Sequence, residues 1–81
     1  MAKPFPRHED HSELKALGET IRALRLKKDI SQEALAVDAG IDRSYMGGIE
    51  RGEHNLAMVN LIKVADALGV SLKDLMGKAR L

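Results

Sequence analysis

The side chains able to do chemistry fall into few clusters along this chain of 81 residues. His8, Glu9, Asp10 and His11 stand together, and imidazoles and carboxylates are metal ligands. They follow Pro4 and Pro6, which oppose helix, so residues 1–11 read as a flexible arm rather than a structural metal site. The remaining histidine, His54, lies far away. Carboxylates are plentiful, but no Ser/His/Asp set, phosphate-binding loop or catalytic pair accompanies them. No enzyme, no metal and no cofactor is therefore expected.

Cysteine is absent, which excludes disulfides and thiolate metal sites and suits a reducing cytoplasm. Neither a signal-peptide pattern nor a run near the ~20 apolar residues of a membrane helix is visible, so no membrane partner is expected. Net charge is +1, a weak basis for nucleic-acid binding on its own. Any basic footprint must come from placement. Arg22, Arg25, Lys27 and Lys28 form the densest basic run, which as it stands reads equally well as a solvated helix face.

The elements that must position these groups read as helices throughout. Apolar residues make up 44% of the chain, enough for one small globular domain over residues 12–81. Leu14, Leu17, Ile21 and Leu24 recur as a helical stripe behind Ser12, a candidate N-cap, and the stripe ends near Lys28-Asp29. Ser31 caps a second helix that closes at Gly40. Asp42 caps a third, running to about Arg51 and ended by Gly52. A fourth helix over residues 57–68 carries Met58, Leu61, Ala65 and Leu68 on one face, and its start lacks a capping hydroxyl. Ser71 and Asp74, at capping-box spacing, mark a short fifth helix. No β pattern of any length appears, and the fold class is all-α, a five-helix bundle.

The second and third helices carry the informative pattern. A helix-turn-helix needs a residue tolerant of positive φ in its turn, and Gly40 supplies it. It needs a small side chain where the helices cross, and Ala36 fits. Its inward positions must be apolar, as Leu35, Ala39, Ile41, Met46 and Ile49 are. Together these satisfy every demand of the motif.

From about Leu14 to Met76 the chain resembles the phage-repressor-like helix-turn-helix family. Ile30-Ser31-Gln32-Glu33, Ala39-Gly40, Ile49-Glu50-Arg51-Gly52 and Ala67-Leu68-Gly69-Val70-Ser71 carry the likeness. Within it, Asp42-Arg43-Ser44-Tyr45, Gly48-Ile49-Glu50-Arg51 and Asn55-Leu56 are similar to the controller proteins of restriction–modification systems, dimeric regulators of similar size.

The resemblance implies that the third helix enters the DNA major groove N-terminus first. Arg43 would then reach guanine O6 and N7, with a phosphate contact or a plain surface position as the alternatives. Ser44 would bond a base or a phosphate, and Tyr45 would touch a base, touch a phosphate or pack. Gln32, at a helix N-terminus that favours anions, with Asn55 and Arg51, would hold phosphates and set register. Arg25 and Glu50 would form a salt bridge tying the first helix to the third. His54 stands where controller proteins often place a basic residue, which weakens the case for a DNA contact there.

Gly47 and Gly48 depart from the family pattern, since they fall where base-reading side chains are common. Read as exposed, they suit either a close backbone approach to DNA or a tight contact between helices. Leu72, Leu75 and Met76, with Ile62, exceed what a short last helix needs, and either form a two-fold dimer interface or fill the core. The expected partners are a double-stranded DNA operator, a second copy of the chain and, in a controller-like circuit, RNA polymerase. The rival reading is a protein-interaction module on the same fold, an antirepressor or adaptor without DNA contacts.

Overall fold

The computed structural model describes residues 12–81, which form five helices and no strand. They are α1 (Ser12–Lys27), α2 (Gln32–Ala39), α3 (Arg43–Glu50), α4 (Met58–Leu68) and α5 (Leu72–Lys78). The expected arm at residues 1–11, with its histidine cluster, lies outside the described residues. No described helix is long and apolar enough to cross a membrane.

Local chemistry explains most helix ends. The Ser31 hydroxyl accepts from the Ala34 N–H at 2.9 Å, and Ser71 accepts from Asp74 N–H at 3.0 Å. Each bond satisfies an otherwise orphaned first-turn donor. Asp42 does the same for Ser44 N–H at 3.0 Å. Ala57 precedes α4 with no side-chain cap, as its residue type requires. At the other end of α2, Gly40 adopts φ 69°, and its N–H returns to the carbonyls of the last turn. Asp29 takes a left-handed φ of 59° after α1 without being glycine, a conformation aspartate tolerates better than most residues.

The core is a single cluster in which Ile21, Leu35, Met46, Ile49, Val64, Leu68 and Leu75 are the largest wholly buried side chains. Truncating one such residue to alanine costs about 2–5 kcal/mol. α3 packs on α1 and α2, α4 packs on α2, and α5 closes against α1 and α4. The expected face of α4 needs one exchange. Met58, the first residue of α4, is exposed and Val64 is buried.

Gly18 sets how closely α1 and α3 approach. A Cβ there would overlap the carbonyl oxygen of Ile49 and come within 2.6 Å of that of Glu50. Only a residue without a side chain lets the end of α3 lie this near α1.

Candidate nucleic-acid interface

α3 is half surface and half scaffold. Arg43 and Ser44 in its first turn are exposed and Tyr45 is half-buried, whereas Met46 through Glu50 are all buried. The exposed tip therefore ends after one turn. Asp42 organises that tip: its carboxylate accepts from both the backbone N–H and the hydroxyl of Ser44. Those two bonds, the hydroxyl first, hold the Asp42 carboxyl below its ordinary pKa.

The buried end of α3 is tied to α1 by charge. Arg25 Nε donates to Glu50 Oε2 at 2.7 Å and Arg25 Nη2 to Glu50 Oε1 at 3.0 Å, a bidentate pair. Arg25 Nη1 also donates to the Ile30 carbonyl at 3.0 Å, which anchors the segment leading into α2. Hydrogen bonding to Glu50 raises the Arg25 pKa, overcoming desolvation.

Gln32, the first residue of α2, extends this network toward the surface. Its Nε2 donates to Glu50 Oε1 at 3.2 Å, and its Oε1 accepts from Arg43 Nη1 at 3.4 Å. A continuous chain of contacts thus runs from the buried ion pair to the exposed arginine at the start of α3. Both helix N-termini, α2 at Gln32 and α3 at Arg43, are brought together by it.

This arrangement of two capped helices about a left-handed glycine is the helix-turn-helix, and the family model described as helix-turn-helix matches residues 21–75. The chain belongs to that family. Control protein C.BamHI of Bacillus amyloliquefaciens is 43% identical over 60 residues, covering 73% of this chain and 74% of its own length. Among solved structures, the restriction-modification controller protein C.AhdI from Aeromonas hydrophila is 45% identical with a TM-score of 0.77. That match covers 79% of this chain and 97% of C.AhdI. The clp gene regulator ClgR from Corynebacterium glutamicum has a TM-score of 0.79 at 29% identity, over 84% of this chain and 88% of its own.

In this helix-turn-helix protein, three sequence expectations need correction. Gly47 and Gly48 are buried, not exposed. His54 folds back over Gly48, where any Cβ would overlap its ring. Arg51 and Gln32 cover Gly47, whose Cβ would sit 3.1 Å from Arg51 Nη1 and 3.3 Å from Gln32 Oε1. Of the two alternatives, the glycines make the tight packing contact, Gly47 with Gln32 of α2 and with Arg51, and Gly48 with His54 of the segment after α3.

The third correction concerns Leu75, which is 0% exposed and belongs to the core of the domain. Leu72 and Met76 are half-buried against that core. Ile62 is 43% exposed, and it shares its face of α4 with exposed Met58 and Val59 at helical spacing. The free apolar surface therefore lies on α4 more than on α5.

Arg51 and Asn55 are both exposed beyond α3. The Arg51 guanidinium forms two hydrogen bonds with Glu53, at 2.8 and 3.2 Å, and this contact lowers the Glu53 pKa. Tyr45 lies against His54, ring centroids 4.7 Å apart and planes 24° apart, while Asn60 Nδ2 donates to its hydroxyl at 3.5 Å. Sequence reasoning left His54 without a role and passed over Gly18 and Asn60. A histidine replacing a basic residue beside an unusual glycine was the available signal. Among the described residues no group of His, Asp or Glu is placed to hold a metal ion.

Proposed function

We propose that this helix-turn-helix protein is a DNA-binding transcription regulator that binds a palindromic operator as a dimer. Arg43, Ser44 and Tyr45 read base edges in the major groove, and Gln32, Asn55 and Arg51 hold phosphates on either side. The observation that carries this reading is the exposed first turn of α3, held beside the N-terminus of α2 by the Arg25–Glu50–Gln32–Arg43 chain. An α-helix end presented in this way matches major-groove dimensions, and a bidentate arginine–guanine pair discriminates by about 1–3 kcal/mol.

The dimer reading is supported by the exposed apolar residues Met58, Val59 and Ile62 on α4, together with the half-buried Leu72 and Met76 on α5. Two-fold pairing would present two α3 tips to half-sites about one helical turn apart. The likeness to the named control proteins supports a restriction–modification controller acting in the cytoplasm on its own promoter. RNA polymerase would then be a further partner.

Selection from a random DNA pool at low salt, followed by sequencing, tests the function. The expected result is an enriched palindrome that recurs upstream of the protein's own gene. Failure to enrich any sequence would overturn the regulator reading and favour a protein-interaction module. Sedimentation across concentration tests the dimer, and a monomer at tens of micromolar would exclude a tight one.

A further inference from the structure

His54 has no part in the DNA-binding reading, yet it stands against one of the residues that reading uses. It lies in the segment between α3 and α4, half-buried, and stacks on Tyr45 of α3 with centroids 4.7 Å apart. The stack has room because position 48 carries no side chain, since a Cβ on Gly48 would overlap the imidazole. From α4, Asn60 Nδ2 reaches the Tyr45 hydroxyl at 3.5 Å. Tyr45 is therefore held on its ring face by one segment and at its hydroxyl by another.

We infer that His54 is a positioning residue for Tyr45, clamping its ring at the edge of the DNA-reading tip before DNA arrives, with Gly48 as the seat of the clamp. This inference rests on the reading of Tyr45 as a base-contacting residue. A tyrosine ordered in advance gives up less side-chain freedom on binding. Ordering of one such side chain changes affinity by about three- to tenfold. The offset stack suits two aromatic rings and needs no charge on the imidazole. It also accounts for a costly glycine inside α3, since any larger residue at position 48 would displace the ring that holds Tyr45.

The chain offers a direct readout of the clamp itself. It has one tyrosine, so the Tyr45 ring resonances are unambiguous, and the shift that the His54 ring imposes on them reports the stack. The test compares the full-length protein with His54→Ala, His54→Phe and His54→Gln, each with Tyr45 and with Tyr45→Ala. Affinity is measured for the selected operator and for a random-sequence duplex, with thermal melts alongside.

His54→Ala and His54→Gln should abolish the ring-current shifts on the Tyr45 ring and weaken operator binding about three- to tenfold. Binding to the random duplex should stay constant, and His54→Phe should restore operator binding. With Tyr45→Ala in place, His54→Ala should cost nothing further. The inference is overturned if all three His54 variants lose both DNAs equally, which would make His54 a phosphate contact. It is also overturned if His54→Ala leaves the Tyr45 resonances in place, or if its penalty persists without Tyr45. A wild-type protein that enriches no DNA sequence would instead sink the DNA reading, leaving the Tyr45 resonances to decide whether the clamp exists.

Discussion

Arg25 on α1 grips Glu50 on α3 with two parallel hydrogen bonds, 2.7 and 3.0 Å long, in the interior of the domain. This pair spans the two helices that Gly18 brings together, and Glu50 also takes the Gln32 amide. The last turn of α3 is therefore fixed by charge, whereas its first turn is free to meet a ligand.

Removing one partner strands the other. Arg25→Ala or Glu50→Ala should cost about 3–5 kcal/mol, because an uncompensated charge is left buried. In a domain of this size each kcal/mol lowers Tm by about 4–8 °C, so the drop should be large. Arg25→Met with Glu50→Leu together should recover most of it, since an apolar pair removes both desolvation costs. Single variants that melt with the wild type would show that the pair contributes little.

Two glycines, both in helices, should respond differently to alanine. At Gly18 the added Cβ meets backbone oxygens of Ile49 and Glu50, which cannot move without separating α1 from α3. Gly18→Ala should destabilise by about 1–3 kcal/mol despite a better helix propensity. At Gly48 the obstacle is the end of the His54 side chain, which can swing aside. The gain of about 1 kcal/mol in propensity then offsets a lost stack of about 0.5–1.5 kcal/mol, leaving stability near its starting value. Thermal melts of both variants check the contrast, and equal losses would contradict it.

The legibility of this fold follows the range of the interactions involved. Ser31, Gly40, Asp42 and Ser71 act on backbone groups within a few residues, and each was readable from its neighbours. Arg25 with Glu50 was legible only through the family likeness, since no local spacing joins residues on different helices. The burial of Gly47 and Gly48 escaped because their covers, His54, Arg51 and Gln32, come from other segments or later turns. Leu75 stood between an interface and the core because sequence alone does not say how much apolar surface a core consumes. It is wholly buried. The exposure of Arg43 and Ser44 follows from their place just past the Asp42 cap, but the Tyr45–His54 stack needed coordinates.

The start of α4 lacks a side-chain cap. Ala57 has extended dihedrals of −69° and 144°, suitable for an N-cap, but no side chain to accept a bond. Ala57→Ser should raise stability by about 0.5–2 kcal/mol. Denaturant titration should show a higher midpoint with an unchanged slope, and no increase would mean that the first turn of α4 is satisfied otherwise.

Acid should loosen the tip of α3 before it unfolds the core. The Asp42 carboxyl is held below its ordinary pKa of 3.8 by bonds from Ser44. A depressed folded-state value means that this stabilisation is full above the unfolded pKa and is lost as pH falls through the folded one. Asp42→Asn can still cap but does not titrate. Its Tm should therefore decline less than that of the wild type between about pH 5 and pH 2. Identical acid limbs would show that the Ser44 bonds do not stabilise the fold.

Arg43 and Arg51 should separate specificity from affinity. Arg43 is exposed at the tip and makes only a long contact to Gln32, so its guanidinium can turn to a base at little cost. Arg43→Ala should lose about 1–3 kcal/mol on the operator and relax selection at one base position in each half-site. Arg51, by contrast, lies beyond α3 and is half-neutralised by Glu53 at 2.8 Å. As a phosphate ligand it must share or leave that carboxylate. Arg51→Ala should weaken all DNA sequences alike and reduce the steepness of the salt dependence by about one phosphate's worth, near 0.9 in slope. Glu53→Gln should act in the opposite sense, raising affinity for operator and random DNA alike and leaving the gap between them unchanged. Titrations of operator and random duplex across salt distinguish the roles. If Arg43→Ala and Arg51→Ala shift both DNAs equally, Arg43 holds a phosphate and sequence is read elsewhere.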